Sequence, residues 1–226
     1  MDFDLEKIPN YKKAISYLRP VWLNNKTSDV NPHLELLLYK GRFQLATRDA
    51  LYSDGEYYTP GLAVIKCLKP FLPQVKSMLI LGVGLGSTVQ IMEKAGFFPR
   101  FTLVELDKVI LKLAVEFLSK STKAVLEPIC EDAEVFMAGN KTRHDLIFID
   151  IFDSRTVPDF VTTQDFLTHC KHSLNPGGRV ALNYIINDED KWKETLKTFS
   201  KVFPDSEILE ADINRIFISA AHQTHQ

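Results

Sequence analysis

The chain has 226 residues, enough for one large domain or for one domain with a small appendage. Hydrophobic residues make up 45% and charged residues 25%, which is ordinary globular usage and excludes disorder for most of the chain. The 27 basic and 29 acidic residues give a net charge of −2, and no basic stretch stands out, so nucleic acid is not an expected partner.

Localisation is predicted from three features of the sequence. The first residues, MDFDLEKIPNYKK, contain no apolar core of a signal peptide, and no stretch approaches the roughly 18 apolar residues of a membrane span. The three cysteines, Cys67, Cys130 and Cys170, are widely spaced and form no CxxC pair. We therefore expect reduced thiols, a cytoplasmic location and no membrane partner.

The first 58 residues are irregular and contain two strand-like runs. Residues 34–39 and 42–47 are rich in apolar residues, and Lys40-Gly41 joins them. This pattern predicts a β-hairpin, which needs to pack on the rest of the chain because a lone hairpin is marginally stable. We expect residues 1–58 to be a small N-terminal β-hairpin extension and residues 59–226 to be the main domain.

From residue 59 onwards, helical and strand patterns alternate. A helix is expected to begin at Thr59-Pro60, with the threonine hydroxyl as its cap. Further helices are predicted at 87–95, 108–119, 162–174 (with Thr162 and Asp165 as a capping box) and 190–202, and strands at 77–81, 101–105, 124–129, 146–150, 179–184, 207–211 and 215–220. The last two strands are joined by three residues, too few for a parallel crossover. The sequence thus predicts an α/β fold whose parallel sheet carries one terminal antiparallel strand.

A glycine-rich loop, Gly82-Val83-Gly84-Leu85-Gly86, lies between a buried strand and a helix. Glycines in this position allow a tight turn and a close approach to a ligand, and the helix N-terminus offers free N–H groups. The dinucleotide fingerprint G-x-G-x-x-G is incomplete, because Ser87 stands where its third glycine belongs. A tight turn without a ligand is the alternative.

Two acids follow the next strands and are candidates for binding a nucleoside. Glu105 lies 19 residues after Gly86, close to the spacing of acids that accept the hydroxyls of a ribose. Asp132, followed by Ala133, is placed to accept from an adenine amino group or to cap a short helix, and the two roles are compatible. For Glu105, the alternative is a strand-end acid that faces water.

Asp150 and Asp153 follow the most hydrophobic strand. A buried strand-end acid costs desolvation unless it is paired or used, and two close acids raise one pKa, which suits a proton acceptor. The alternative is a turn at Asp153 and a loop cap at Asp150. Tyr57 and Tyr58 either line a pocket or pack the hairpin onto the core.

Two histidines, His169 and His172, flank Cys170 in the middle of a predicted helix. No further metal-ligand residues lie near them in sequence, so we predict no metal site.

The ordered set of these motifs resembles the spermidine synthase (polyamine aminopropyltransferase) family and its methyltransferase-like relatives. The likeness runs from about Leu34 to Ala220 and is strongest from Asp150 to Phe166 and through the Asn175-Pro-Gly-Gly178 turn. The segment Ala50–Tyr58, the glycine loop with Glu105, and Glu131-Asp132-Ala133 also fit.

The resemblance implies a class I AdoMet-dependent methyltransferase fold, a Rossmann-like doubly wound sheet, often in a dimer. It implies that Gly82, Gly84 and Gly86 bind the amino-acid end of S-adenosylmethionine (AdoMet) or decarboxylated AdoMet. Glu105 would then bind the ribose, and Asp132 with Ala133 the adenine. Asp150 would be the general base, with Asp153, Tyr57 and Tyr58 around a small acceptor such as an amine.

Two positions and the end of the chain depart from the family pattern and leave aminopropyl and methyl transfer both open. Leu85 replaces an acid that grips the ammonium of the donor, and Pro60 stands where the family has a glutamate. The chain also ends soon after its last strand, without the family's C-terminal segment. The rival readings are an NAD-dependent oxidoreductase, which Ser87 and the final strand pair disfavour, and a pseudoenzyme that binds a nucleoside or a polyamine.

Overall fold

The computed structural model describes residues 7–222 and contains two β-sheets. The prediction about a signal peptide rests partly on residues 1–6, which lie outside the described residues. In residues 7–222, no helix is long and apolar enough to cross a membrane.

The N-terminal unit is a four-stranded antiparallel sheet in the order β1-β2-β3-β4, preceded by helix α1. Its elements are α1 (Asn10–Ser16), β1 (Val21–Lys26), β2 (Leu34–Tyr39), β3 (Arg42–Ala46) and β4 (Leu51–Ser53). Strands β2 and β3 form the predicted hairpin, and both Lys40 and Gly41 have positive φ, as a tight two-residue hairpin turn requires. The hairpin is confirmed, and β1 and β4 extend it on either side.

The larger unit has a seven-stranded sheet with helices on both faces. Its helices are α2 (Thr59–Cys67), α3 (Ser87–Lys94), α4 (Lys108–Leu118), α5 (Ala133–Gly139), α6 (Gln164–His172) and α7 (Glu189–Val202). Its strands are β5 (Ser77–Leu81), β6 (Arg100–Glu105), β7 (Leu126–Cys130), β8 (His144–Ile149), β9 (Leu174–Ile185), β10 (Glu207–Ala211) and β11 (Asn214–Ile218).

The strand order is β10-β11-β9-β8-β5-β6-β7. The five neighbouring strands β9, β8, β5, β6 and β7 are parallel to one another. Strand β11 is antiparallel to β10, as the short link between them predicted, and also to β9. The antiparallel strand is inserted one place in from the edge, with β10 outside it. The chain order reverses between β5 and β8, and ligands of such sheets bind at the carboxyl ends of the strands next to this switch point.

Sequence patterns placed some element boundaries a few residues away from their positions in the structure. Helix α2 begins at Thr59, but no side chain caps it, and Thr163 rather than Thr162 caps α6 by accepting from the Phe166 N–H. Strand β9 starts at Leu174, so the Asn175–Gly178 turn lies inside it as a bulge opposite β8. These differences do not move the residues at the carboxyl ends of the strands.

Three buried clusters hold the structure together. Two of them lie on the larger sheet, one containing Met78 and Phe148 and the other containing Leu79 and Phe199. The third joins the units: side chains of β2 and β3 pack on residues of the glycine loop and of α4. Its buried members are Ile8, Leu34, Leu36, Leu38, Phe43, Leu45, Leu85, Ile110 and Leu113. The N-terminal sheet is thereby held beside the carboxyl ends of the larger sheet.

Candidate active site

A cavity of about 540 Å³ lies at the carboxyl ends of the parallel strands. The segments that follow β5, β6, β7 and β8 form its floor, and residues 49–60 together with Val30 and Asn31 enclose it from the N-terminal side. The volume suits a ligand of the size of a nucleoside with a further group attached. All the acids singled out from the sequence, Glu105, Asp132, Asp150 and Asp153, line this cavity.

The glycine loop turns sharply at the end of β5. Gly82 and Gly84 line the cavity and have φ values of +84° and +56°. A Cβ on Gly82 would lie 2.2 Å from the Asp150 carbonyl oxygen, and one on Gly84 would lie 2.5 Å from the Tyr52 carbonyl oxygen. The close approach that requires these glycines is therefore to the protein's own backbone. Gly86 is not among the residues that line the cavity, so its contact with a ligand stays a prediction.

Glu105 ends β6 with its carboxylate held by the backbone. One oxygen accepts from the Val83 N–H at 2.9 Å and the other from the Asp107 N–H at 3.1 Å. Burial raises the pKa of Glu105, and these backbone hydrogen bonds oppose that rise. Each carboxylate oxygen has a further lone pair, so the group can still accept from hydroxyls, and it is not the freely solvated acid of the alternative reading.

Asp132 caps α5 through one oxygen, Oδ1, which accepts from the N–H groups of Glu134 and Val135 at 2.7 and 3.4 Å. Within residues 7–222 the other oxygen has no hydrogen-bond partner, and Asp132 lines the cavity beside the buried Ala133. Capping therefore leaves one carboxylate oxygen available to a ligand.

Asp150 lies after β8 and accepts two hydrogen bonds on the same oxygen. The Tyr58 hydroxyl donates to Oδ1 at 3.0 Å, and the Asn183 amide donates to it at 2.8 Å. Burial raises the pKa of Asp150 from 3.8 to about 6, although these two hydrogen bonds lower it, and the charge of Glu105 adds to the rise. The group is thus ionised at neutral pH and more basic than an ordinary aspartate.

Asp153 occupies the loop after β8, where its backbone pairs with that of Thr156 in both directions. The turn of the alternative reading is therefore present, with Ser154 at a φ of +57°. The Asp153 side chain is exposed at the cavity, so the turn does not use its carboxylate.

The two neighbouring tyrosines play different parts. The Tyr58 hydroxyl is bonded to Asp150, and burial together with the Asp150 charge raises the pKa of Tyr58 well above 10. Tyr57 is 53% exposed at the cavity rim, and the Arg42 guanidinium lies 4.3 Å from its ring centre. Both line the cavity, but Tyr57 packs against cations while Tyr58 reaches the candidate base.

Three polar residues of the site were missed in the sequence. Asn183 and Asn214 lie on β9 and β11 behind Asp150, and an asparagine inside the apolar run of β9 was the signal that could have found the first. Tyr52 links two cavity loops: its hydroxyl donates to the Asn31 side chain and accepts from the Ser154 N–H at 3.1 Å.

The two substituted positions have different surroundings. Leu85 is buried at 1% exposure in the cluster between the two units and does not line the cavity. Pro60 is also buried but does line the cavity. Neither residue offers a charge to a ligand.

The charge of the cavity is strongly negative. Eight carboxylates line it against one basic residue, Arg155, among the described residues. They are Asp49, Asp54, Glu105, Glu131, Asp132, Asp150, Asp153 and Asp212. Arg42 neutralises Asp54 through a contact of 2.6 Å, and the others favour a cationic ligand. Across residues 7–222 no cluster of three or more His, Cys, Asp or Glu residues is arranged to hold a metal ion.

The strand order, the glycine turn and the acids at successive strand ends define an α/β fold of the class I AdoMet-dependent methyltransferase type. The chain belongs to the spermine/spermidine synthase domain family, whose model matches residues 63–214. The fold resembles that of spermidine synthase from Thermotoga maritima with a TM-score of 0.70 and 18% identity, over 90% of this chain and 74% of that one.

Two curated relatives represent the two chemistries of this group. A probable polyamine aminopropyl transferase of Bifidobacterium longum is 28% identical over 164 residues, which cover 70% of this chain and 35% of the relative. An eEF1A lysine and N-terminal methyltransferase homolog of Drosophila pseudoobscura pseudoobscura is 27% identical over 163 residues, which cover 67% of this chain and 24% of the relative. The chain thus spans about a third or a quarter of these two proteins.

Proposed function

We propose that the protein is a transferase that moves an aminopropyl or methyl group from decarboxylated AdoMet or AdoMet to a small amine acceptor. The observation that carries this proposal is Asp150, a partly buried carboxylate with a pKa raised to about 6 in a cavity rich in acids. A structural acid would be expected to have its charge fully satisfied, whereas Oδ2 of Asp150 has no hydrogen bond from residues 7–222.

The residues fit the donor at its nucleoside end. Gly82 and Gly84 provide a turn without side chains, Glu105 provides acceptors for the ribose hydroxyls, and Asp132 with Ala133 stands where the adenine would lie. Because Leu85 is turned into the protein core, the amino-acid end of the donor meets no acid at that position. A neutral side chain at position 85 is more tolerant of the carboxylate of AdoMet than an acid would be.

Asp150 would remove the proton that keeps an amine from attacking. A bound sulfonium donor supplies an electrophilic carbon and a neutral thioether as leaving group. The N–H bond of the acceptor breaks, its proton goes to Asp150, and the nitrogen lone pair forms the new N–C bond while the C–S pair stays on sulfur. The protein contributes mainly alignment and this proton acceptor.

The acceptor would be held by the exposed Asp153 and by Tyr57 at the cavity rim. The excess of carboxylates would attract a cationic amine and hold it until its proton is removed. Acceptor binding is therefore expected to weaken as ionic strength rises.

Calorimetric titration with AdoMet, decarboxylated AdoMet, methylthioadenosine and NAD tests the donor. Tighter binding of decarboxylated AdoMet identifies aminopropyl transfer, with putrescine as the first acceptor to try, and tighter binding of AdoMet identifies methyl transfer. Failure of all three adenosyl compounds to bind, or preference for NAD, would overturn the proposal.

The substitution Asp150→Asn tests the general base, because asparagine keeps the shape but cannot take the proton. We expect turnover to fall by roughly 10²–10⁴-fold. The control is Asp159→Asn, which removes an exposed acid that pairs with Lys191 outside the cavity. Unchanged turnover in Asp150→Asn would refute the assigned base, and donor binding without turnover under any condition would favour a binding protein.

We also propose a homodimer in the cytoplasm, acting without metal or nucleic acid. Tyr17, Leu18 and Trp22 expose large apolar surfaces on and beside α1 and β1, with Leu18 87% exposed, and such surfaces mark candidate contacts. Sedimentation of the protein and of Leu18→Glu tests the dimer. The three free cysteines fit a reducing compartment.

A further inference from the structure

Two asparagines on neighbouring strands lie behind Asp150. In the pairing of β11 with β9, Asn183 is opposite Ile216, so Asn214, two residues away, is its diagonal neighbour on the same face of the sheet. The Asn214 amide donates to Oδ1 of Asn183 at 2.8 Å, and the Asn183 amide donates to Oδ1 of Asp150 at 2.8 Å. The three side chains therefore form one directed chain of hydrogen bonds.

The Asp150 carboxylate, which can only accept, and the Asn214 contact agree on which way the Asn183 amide faces. If the Asn183 amide were rotated by 180°, its NH₂ group would face the NH₂ group of Asn214 and its oxygen would face the Asp150 carboxylate. Asn183 is fully buried, so water cannot compensate for an amide oxygen that faces the carboxylate. Asn183 is thus fixed as a donor to Asp150.

Both donors to Asp150 reach the same oxygen. The Tyr58 hydroxyl and the Asn183 amide donate to Oδ1, while Oδ2 has no hydrogen bond from residues 7–222. The two oxygens of this carboxylate therefore have separate surroundings: one is held by the protein and the other is left to the cavity.

We propose that Asn183, held by Asn214, is a positioning residue that orients Asp150 so that Oδ2 takes the proton of the acceptor. This inference rests on the proposed function. In the step itself, an N–H bond of the acceptor breaks and an O–H bond forms at Oδ2, while the electron pair stays on nitrogen. Asn183 and Asn214 keep their protons throughout.

The proposal predicts how Asp150 titrates when its partners are removed. The titratable groups that face it are Tyr58, which donates to it, and Glu105, whose charge disfavours its ionisation. Burial and Glu105 raise the pKa of Asp150, and the two donors lower it. Without the amide of Asn183, only the Tyr58 hydroxyl is left to lower it. The midpoint of Asp150 should then rise by roughly one pH unit.

The experiment is a ¹³C NMR titration of the aspartate carboxyls, with the Asp150 signal identified by its absence in Asp150→Asn. We expect the midpoint of Asp150 to rise in Asn183→Leu and, by less, in Asn214→Leu. The matched control is Asn175→Leu, because Asn175 donates to Asp145 at 2.7 Å at the opposite end of the sheet. This control should leave the Asp150 midpoint unchanged.

Kinetics give a second readout. In both variants, the acidic limb of the pH profile of kcat/KM should shift to higher pH together with the Asp150 midpoint. In the control, the limb should stay at the same pH. A merely structural role would lower stability without moving this limb. If neither variant folds, the unmodified protein decides, because the Asn183 side-chain amide signal should then titrate at the Asp150 midpoint.

The outcomes separate the inference from the function. Unmoved Asp150 midpoints in folded variants, or an Asn183 amide that does not follow Asp150, would overturn the inference while an inactive Asp150→Asn still supports the function. Full turnover in Asp150→Asn would refute Asp150 as the base, and with it the proton transfer at Oδ2. Failure of the adenosyl compounds to bind would overturn the proposed function itself.

Discussion

At the scale of single residues, Glu105 is the acid for which we propose the ribose as ligand. The change Glu105→Gln replaces one of its acceptor oxygens by a donor and should disturb both the Val83 contact and the proposed ribose site. We expect the affinity for adenosyl compounds to fall by roughly 10-fold or more, since a hydrogen bond to a charged group contributes about 1.5–3 kcal/mol. Calorimetric titration of both proteins with AdoMet measures this affinity.

The control for this change is Glu134→Gln, an exposed position on α5 that does not line the cavity. Equal affinities for wild type and Glu105→Gln would remove the ribose assignment while leaving Asp150 untouched.

His144 is a second residue whose burial has a measurable consequence. Neither ring nitrogen has a hydrogen-bond partner among residues 7–222, and burial lowers the pKa of His144 below 6.5. Because the folded protein then binds fewer protons than the unfolded chain, this residue's contribution to stability is present above pH 6.5 and lost as the pH falls below it.

We therefore expect His144→Leu to remove part of the loss of unfolding free energy between pH 7 and pH 5, as measured by urea denaturation. His172→Leu, at an exposed site on α6, is the control. A parallel pH dependence in wild type and His144→Leu would contradict this account.

At the scale of elements, the glycine turn after β5 allows the cost of a close backbone contact to be separated from the cost of a left-handed backbone. Gly84→Ala combines a left-handed backbone with a Cβ 2.5 Å from the Tyr52 carbonyl oxygen. Gly96→Ala shares the positive φ but has no atom within 4 Å of its Cβ, so it isolates the backbone strain of about 1–2 kcal/mol. Thermal unfolding should show the larger loss for Gly84→Ala, and equal losses would show that the contact is relieved without cost.

The element scale also shows what the sequence could and could not predict. The parallel strands, the hairpin and the antiparallel last strand followed from apolar periodicity and from link lengths, and the acids at the strand ends followed with them. The position of β11 between β10 and β9 could not be predicted. The length of a link shows whether two strands run antiparallel, but it does not show which other strand they pair with. Asn183 and Asn214 were missed because their pairing depends on the register of strands that are distant in sequence.

At the scale of the whole molecule, the two units share a core. A boundary near residue 58 remains our proposal for the sequence, but side chains from both sides of it pack in one cluster. Leu38→Ala in that cluster should lower the free energy of unfolding by about 2–5 kcal/mol. This loss of unfolding free energy should appear in both units together, because each unit buries its side of the cluster against the other.

The two tryptophans, Trp22 on β1 and Trp192 on α7, report on the two units separately. In single-tryptophan versions, the fluorescence transitions in denaturant should coincide and shift together in Leu38→Ala. Leu62→Ala, at an exposed position of α2 outside that cluster, is the control. A transition of Trp22 that moved alone would mean that the N-terminal sheet unfolds independently.

The place of Leu85 in that shared core limits how this protein can change over evolutionary time. The side chain that replaces the family's acid is not a spare position beside the ligand, because it joins the glycine loop to the N-terminal sheet. A mutation to aspartate would bury an unpaired charge among leucines and unfold the protein before it altered selectivity. A change of Leu85 to an acid would therefore need compensating changes in the side chains of β2, β3 and α4 that pack around it.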